Sequence, residues 1–213
     1  MKIQKEAIKG YKEINVPYSL VTNEEKSNKL AIFLPGAGYT NQGPLFHYSE
    51  GVFLNKTVDV LKIDYQYNDK AYDNFDMNEL SEAIQFDVKT VIDKVLREND
   101  YEDFYLIAKS LGTIALCTEL KRELFEDAKL VWLTPLIHRD DVLNTMVNST
   151  QKGLCFIGDV DHCYTEARYN QLLNNPNLTS QLLPNINHDM EYADDPIKSI
   201  DVLKEIIEEI NLL

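Results

Sequence analysis

Glycine, proline and cysteine are all scarce in this chain. Its 213 residues include 8 glycines, 7 prolines and 3 cysteines. Such low glycine and proline contents exclude collagen-like and most intrinsically disordered classes. Cys117, Cys155 and Cys163 cannot all pair with one another, and none stands in a CxxC motif. A disulfide scaffold is therefore not expected, and a reducing cytoplasm is the expected compartment.

Long hydrophobic runs and positive charge are also in short supply. No stretch approaches the length of a membrane span, and the N-terminal segment lacks the apolar core of a signal peptide. We therefore interpret the glycosylation sequons at Asn55, Asn148 and Asn177 as chance matches. Lysine and arginine number 21 against 35 aspartates and glutamates, a formal net charge of −14. This balance argues against nucleic acids and anionic membranes as partners.

The chain does contain short apolar runs that alternate with amphipathic patterns. With 44% hydrophobic residues it can bury one sizeable core, and we expect a single domain over residues 1–213. Apolar runs predict buried strands over 30–34, 58–65, 104–109, 129–134, 153–158 and 180–183. Helices are predicted over 77–97, about 139–149, 165–174 and from Pro196 onward, with loop and short helix up to about residue 55. This alternation predicts an α/β fold with a mostly parallel sheet.

Two details of this pattern carry specific expectations. The polar-apolar alternation over 14–21 indicates an antiparallel strand pair at a sheet edge, with Pro17 at an edge or a bulge. In the closing helix, seven apolar residues are predicted to form the buried face: Ile197, Ile200, Leu203, Ile206, Ile207, Ile210 and Leu213.

The segment 104–116 is the most informative stretch of the chain. It begins as an apolar strand, passes through Ala108-Lys109-Ser110-Leu111-Gly112, and continues as an apolar helix. Small residues flank the serine two positions away on each side, as a strained strand-to-helix turn requires. The hydroxyl of Ser110 would stand at the N-terminus of a helix, where free N–H groups stabilise developing negative charge. We therefore predict a nucleophile, the alternative being a simple helix cap.

Other polar residues follow the remaining apolar strands. Ligands of open α/β sheets bind beyond the carboxyl ends of the strands. A hydroxyl nucleophile needs a base to take its proton, and the base needs a partner to hold its tautomer. All three residue types are present, and a serine, an aspartate and a histidine can be chosen in that order along the chain. The candidates are Ser110, His138, Asp140, Asp141, Asp159, Asp161 and His188.

These motifs resemble those of the α/β-hydrolase-fold serine hydrolases, in particular small esterase-like and dienelactone-hydrolase-like members without a cap domain. Residues 108–112 match the nucleophile elbow of that family, although Ala108 replaces its first glycine. The Gly-Asp-Val-Asp segment 158–161 is similar to the one carrying the family's acid, three residues after the glycine. The resemblance spans roughly residue 30 to the C-terminus.

Two further segments extend the resemblance. Asn187-His188-Asp189 is similar to the loop that carries the catalytic histidine before a final helix. Leu34-Pro35-Gly36-Ala37-Gly38 resembles the oxyanion loop, although the common His-Gly opening is Pro-Gly here. The implied fold is a mostly parallel central sheet with helices on both faces and no sizeable cap.

The resemblance also implies a reaction and a set of roles. His188 would deprotonate Ser110 for attack on an ester or thioester carbonyl, and Asp161 would orient the histidine. The N–H groups of Leu111 and Ala37 would hold the oxyanion. No metal and no cofactor are implied, and the substrate would be a small molecule. The residues expected to contact that substrate are Gly36, Gly38, Tyr39 and His138.

Several alternatives stay open at this stage. Asp159, Asp140 and Asp141 compete with Asp161 for the role of the acid. His162 and Cys163 beside Asp161 are compatible with metal binding, but we favour a structural role because adjacent residues rarely ligate one ion. A noncatalytic binding or regulatory protein on the same fold is the second functional hypothesis. Peptidase, acyltransferase and perhydrolase activities would use the same catalytic residues. The sequence does not indicate the oligomeric state.

The length of one connection predicts the shape of the site. Only about eighteen residues separate Pro135 from the next strand, which leaves no room for a substantial lid. We therefore expect a shallow, open site suited to small or extended substrates. The segment Gly36-Ala37-Gly38 also begins like a dinucleotide fingerprint, but the third glycine would fall at Asn41, so we reject that interpretation.

Overall fold

One eight-stranded sheet organises the protein, whose computed structural model describes all 213 residues. The strand order is β1-β2-β4-β3-β5-β6-β7-β8. Strands β3 to β8 are parallel, whereas β2 pairs antiparallel with both β1 and β4. The strands are β1 Lys2–Lys9, β2 Asn15–Thr22, β3 Lys29–Leu34, β4 Asp59–Ile63, β5 Asp103–Lys109, β6 Lys129–Leu133, β7 Gly153–Gly158 and β8 Leu178–Leu183.

Six α-helices cover both faces of this sheet. They are α1 Pro44–Asn55, α2 Met77–Glu98, α3 Gly112–Glu119, α4 Asp140–Asn148, α5 Glu166–Leu172 and α6 Pro196–Asn211. Helices α2 to α5 contribute to a hydrophobic cluster of 40 buried residues, and α1 and α6 contribute to a second cluster of 18. Alternate residues of each central strand enter opposite clusters, as the pleat requires. The predicted fold class is therefore confirmed, with a layer of helices on each side of a mostly parallel sheet.

The antiparallel pair at the sheet edge is confirmed, and the position of Pro17 explains how β2 accommodates it. Pro17 pairs with Ala7 of the edge strand, but the ladder between β2 and β4 begins one residue later, at Tyr18. Its carbonyl accepts a hydrogen bond from the Asp64 N–H at 2.8 Å. Pro17 therefore lies at the end of the ladder between β2 and β4, where a residue without an N–H is tolerated.

The predicted buried face of the closing helix is partly wrong. Ile197 and Ile200 in the first turns of α6 are 69% and 60% exposed, whereas Ser199 is buried. The Ser199 hydroxyl accepts a hydrogen bond from the Tyr192 N–H and donates one to the Asp195 carbonyl. A small polar side chain that bonds the backbone of the preceding turn thus occupies the inward position, and the isoleucines on either side face outward.

A glycine at the start of α3 fixes how closely that helix approaches β3. A β-carbon on Gly112 would lie 2.1 Å from the carbonyl oxygen of Leu34. Gly112→Ala should therefore destabilise the fold by about 1–3 kcal/mol, because the backbone must shift to relieve the overlap. Chemical denaturation measures this change in unfolding free energy.

Gly51 provides the matched control for that substitution. It lies inside α1, and a β-carbon there would meet no atom within 4 Å. Gly51→Ala should stabilise the protein by up to about 1 kcal/mol, because alanine loses less backbone entropy in a helix. If both substitutions changed stability by the same amount and sign, the proposed close approach at Gly112 would be wrong.

Candidate active site

Ser110 occupies a strained turn between β5 and α3. Its φ is 50°, in the left-handed region that costs a residue with a side chain roughly 1–3 kcal/mol. The surroundings hold this conformation on both sides of the residue. The Ser110 N–H donates to the Leu133 carbonyl at 3.0 Å, and the Thr113 hydroxyl donates to the Ser110 carbonyl at 2.6 Å. The predicted strand-to-helix turn is thus present, with the hydroxyl at the carboxyl edge of the sheet.

Three side chains distant in sequence meet at this turn. The Nε2 atom of His188 lies 2.8 Å from Ser110 Oγ. The other ring nitrogen of His188, Nδ1, lies 2.9 Å from each carboxylate oxygen of Asp161. Ser110 follows β5, Asp161 follows β7 and His188 follows β8, so the ends of three strands supply one connected chain of hydrogen bonds. This geometry is what a hydroxyl nucleophile, its base and an orienting carboxylate require.

The carboxylate of Asp161 is buried but well supplied with donors. Burial raises the pKa of Asp161, but the hydrogen bonds from the His188 ring and the Cys163 N–H lower it by more than burial raises it. The net pKa is therefore below the usual 3.8. The Cys163 N–H lies 2.7 Å from Asp161 Oδ1. Because charge-assisted hydrogen bonds favour the ionised form, Asp161 is an anion at neutral pH and can stabilise an imidazolium.

The three competing aspartates are engaged elsewhere. Asp159 is exposed and accepts a hydrogen bond from the Asn185 N–H at 2.6 Å. Asp140 pairs with Arg168 at 2.7 Å, and Asp141 pairs with Arg139 at 2.8 Å. Only Asp161 of the four candidates contacts the histidine.

Two backbone N–H groups beside Ser110 have no acceptor within the protein. Neither the Leu111 N–H nor the Ala37 N–H donates to a backbone or side-chain oxygen. The glycine loop passes directly beside the serine, because a β-carbon on Gly36 would lie 3.2 Å from the β-carbon of Ser110. The Tyr65 hydroxyl donates to the Pro35 carbonyl at 2.5 Å and thereby ties this loop to the end of β4. Both N–H groups are therefore free of protein acceptors, and the glycine loop that carries Ala37 lies next to the serine.

The residues predicted to contact substrate differ in their exposure to solvent. Gly38 and His138 lie at the surface, and Gly36 is buried against the serine. Tyr39 is half-buried, and its hydroxyl accepts a hydrogen bond from the Leu45 N–H at 2.9 Å. Burial raises the pKa of Tyr39 to about 12. Its side chain therefore supports the glycine loop from within the protein.

The residues around Asp161 also form the one cluster of potential metal donors. Donor atoms of Asp161, His162, Cys163 and His188 lie within 4.8 Å of one another. Burial, followed by the charge of Asp161, raises the pKa of the Cys163 thiol to about 12, which opposes the thiolate that a metal would need. Asp161 and His188 already satisfy each other, and His162 is exposed. The cluster therefore fits a hydrogen-bonded relay better than a metal centre.

Lys109 is a buried residue at the site that sequence reasoning passed over. It has no accessible surface, and its ammonium donates to the His188 carbonyl at 2.6 Å and to the Thr134 hydroxyl at 2.9 Å. The signal that could have found it is a lysine inside an otherwise apolar strand, since lysine is rarely buried without a partner.

The connections around Ser110 leave little chain for a lid. The cavity of about 700 Å³ on the protein is lined by residues of α1 and α6, and not by Ser110, Asp161 or His188. The connection between β6 and α4 is six residues long, from 134 to 139. The expected absence of a sizeable cap is therefore confirmed, whereas the shallow, open site stays a prediction.

Solved structures of three proteins superpose on nearly the whole of this chain. An α-β serine hydrolase homologue from Coxiella burnetii has a TM-score of 0.73 at 12% identity, covering 98% of this chain and 95% of its own. An esterase from Pyrococcus furiosus has a TM-score of 0.73 at 16% identity, covering 99% and 90%. A Xanthomonas campestris α/β serine hydrolase without a lid has a TM-score of 0.68 at 14% identity, covering 98% and 94%.

The chain has the α/β-hydrolase fold. At these identities the likeness establishes the architecture, including the absence of a lid, and leaves the chemistry to be argued from the site. No family model and no curated protein sequence matches the chain. None of the helices of this α/β-hydrolase fold combines the length and hydrophobicity needed to cross a membrane.

Proposed function

We propose that the protein is a serine hydrolase that cleaves a carboxylic ester or thioester through an acyl-enzyme on Ser110. The observation that carries this proposal is the connected geometry of the site. Ser110 Oγ lies 2.8 Å from His188 Nε2, and His188 Nδ1 lies 2.9 Å from Asp161, on a strained strand-to-helix turn of an α/β-hydrolase fold. The relatives described as an esterase and as serine hydrolases support the same reaction class.

The proposed reaction uses each group in turn. His188 removes the proton of Ser110, whose oxygen attacks the carbonyl carbon of the substrate, and Asp161 stabilises the imidazolium that results. The oxyanion accepts hydrogen bonds from the N–H groups of Ala37 and Leu111, each donor contributing roughly 100- to 1,000-fold in rate. His188 then protonates the leaving alcohol or thiol, and water releases the acyl group by the reverse sequence.

A fluorophosphonate probe tests the proposal directly. The probe phosphonylates a serine only when a neighbouring base has activated it. We expect intact-protein mass spectrometry to show one added phosphonyl group, and peptide mapping to place it on Ser110. A folded protein that takes up no probe would instead be a noncatalytic binding or regulatory protein on the same fold.

The expected open site predicts which acyl chains the protein accepts. A deep apolar pocket would raise kcat/KM about fourfold for each methylene that it buries, since burial of one CH2 contributes about 0.8 kcal/mol. The apolar cavity of about 700 Å³ is lined by α1 and α6 and not by Ser110, so we expect little of a long chain to leave water. Across p-nitrophenyl acetate, butyrate and octanoate we expect kcat/KM to change by less than about fourfold in total. A steady rise with chain length would contradict an open site.

A further inference from the structure

The ammonium of Lys109 is buried without a carboxylate partner. The side chain has no accessible surface, and no acidic oxygen lies within salt-bridge distance of its nitrogen. Its hydrogen-bond acceptors are the Thr134 hydroxyl and the His188 carbonyl, and the Tyr39 ring centroid lies 4.8 Å away. Burial of a charge among neutral groups is costly, so a lysine that served packing alone would be expected to be replaced by an apolar residue.

Backbone strain occurs at the same point. Thr134, which accepts one of the two hydrogen bonds, has a φ of 41°, a conformation that is an outlier for a β-branched residue. A buried charge and a strained backbone therefore coincide directly behind the serine and histidine. Costly features of this kind persist where function needs them.

Lys109 adds a polar attachment to the segment that carries the histidine, whose Met190 side chain is buried in the core. Within residues 187–191 the other backbone hydrogen bonds are local, such as the Asn187 N–H to the Glu191 carbonyl and the Met190 N–H to the Asn187 carbonyl. The side chain of Asn187 accepts from the Asp189 and Glu191 N–H groups. Apart from the bonds of the His188 ring, the Lys109 ammonium makes the only hydrogen bond that joins this segment to the rest of the protein.

We propose that Lys109 is a positioning residue, whose ammonium holds the His188 carbonyl so that the imidazole keeps its distance to Ser110. The same nitrogen lies over the Tyr39 ring, and the Tyr39 carbonyl accepts a hydrogen bond from the Gly36 N–H. One cation thus contacts both the histidine segment and Tyr39, whose carbonyl binds the glycine loop. This proposal rests on the proposed hydrolase function.

Protonation of the amine strengthens the positioning, because the ammonium is the stronger donor and only the cation is attracted to the Tyr39 ring, and this gives the proposal a pH signature. Burial lowers the pKa of Lys109 from 10.5 to about 8, opposed by the negative charges of Asp189, Asp161, Cys163 and Glu191 when ionised. The neighbouring Tyr39 hydroxyl and Cys163 thiol have pKa values raised by burial to about 12. Among these neighbours the lysine therefore loses its proton closest to pH 8, and the activity of the wild-type protein should fall as pH rises through that value.

The stability of the folded protein should rise with pH over the range in which its activity falls. The pKa of Lys109 is lower in the folded than in the unfolded state, so folding releases a proton between about pH 8 and 10.5. The unfolded state binds more protons in that window, and the contribution of this group to stability therefore rises with pH. A lysine that only packed the core would produce the stability change without the loss of activity.

Lys109→Met tests the proposal, because methionine keeps much of the volume and lacks the charge and the donors. At pH 7 we expect fluorophosphonate labelling of Ser110 to slow by about 10- to 100-fold, the loss typical of a misplaced catalytic group. The labelling rate should then lack the alkaline decline near pH 8, and amides of residues 187–191 should exchange hydrogen faster. The melting temperature should fall by no more than a few degrees, since the variant no longer buries a charge.

Matched variants separate the possible outcomes. The exposed Lys26→Met is the control and should label like the wild-type protein. Thr134→Val removes one acceptor, so it should lower the pKa of Lys109 and move the alkaline decline to lower pH, which keeps the test available if Lys109→Met fails to fold. Lys109→Met that labels at the wild-type rate, or a wild-type rate that is flat from pH 7 to 9.5, overturns the proposal. A wild-type protein that never labels defeats the hydrolase function instead, and hydrogen exchange still tests the attachment.

Discussion

Ser110→Ala should reduce ester hydrolysis to the background of the assay and abolish fluorophosphonate labelling. The substitution removes the only proposed nucleophile, and loss of a triad serine lowers kcat by about 10⁶-fold in well-studied hydrolases. The fold should persist, because alanine fits the same turn and the Ser110 backbone hydrogen bonds to Leu133 and Thr113 do not involve the hydroxyl. Steady-state kinetics with p-nitrophenyl acetate and a melting curve measure both quantities.

Ser149→Ala is the control for this variant. Ser149 is likewise half-buried and lies in a loop, where its hydroxyl bonds the side chain of Gln151. It should retain full activity and full labelling. Equal labelling of the wild-type protein and Ser110→Ala would place the reactive group on another residue and would end the proposed mechanism.

Asp161→Asn should lower kcat by about 10⁴-fold, the second largest effect expected. An asparagine amide can donate to His188 Nδ1, which places the ring proton on Nε2, the nitrogen that faces Ser110. The ring can then no longer accept the serine proton. The measurement is kcat for a p-nitrophenyl ester at neutral pH, with hydrogen bonding of the imidazole followed by its NMR resonances.

The competing carboxylates supply the controls for that substitution. Asp159→Asn, Asp140→Asn and Asp141→Asn each alter a group that does not contact the histidine, and activity should stay within a few-fold of the wild-type value. If one of these three variants lost activity and Asp161→Asn retained it, the acid would be misassigned.

Asp161 should also contribute to stability in a pH-dependent way. Its pKa is lower in the folded protein than the ordinary 3.8, so its stabilising effect is present above about pH 4 and disappears as pH falls through the lowered value. The melting temperature of Asp161→Asn should therefore approach that of the wild-type protein in strong acid, where the carboxylate of the wild type is protonated.

Local patterns in the sequence were sufficient for most of the architecture. The apolar run 153–158 became β7, Gly153–Gly158, without adjustment, and the periodic segment 77–97 became α2, Met77–Glu98. The strand-to-helix turn at Ser110 was equally predictable from the sequence, because the residues that permit the turn are the immediate neighbours of the serine. The length of helix α1 was underestimated. Its buried residues Leu45, Phe46 and Phe53 do not stand out in the sequence, because the helix carries only a weak amphipathic pattern.

Contacts between distant segments could not be predicted in the same way. The order of the strands brings residues 110, 161 and 188 to one edge, and only that placement separates Asp161 from the three other aspartates. Lys109 is the clearest case, because its acceptors are 25 and 79 residues away. In the sequence it reads as one polar residue in a tight turn, whereas the structure makes it a buried cation behind the triad.

The alternation of strands and helices, the elbow at Ser110 and the short list of candidate bases and acids can all be derived from the amino-acid sequence. These features depend on side-chain periodicity and turn chemistry, which act between residues a few positions apart. The packing of the folded chain was needed to show which aspartate faces His188, that the Tyr39 hydroxyl bonds the backbone of α1, and that Lys109 bonds the histidine segment. Those contacts depend on how separate strands and loops pack together, and no local pattern records that packing.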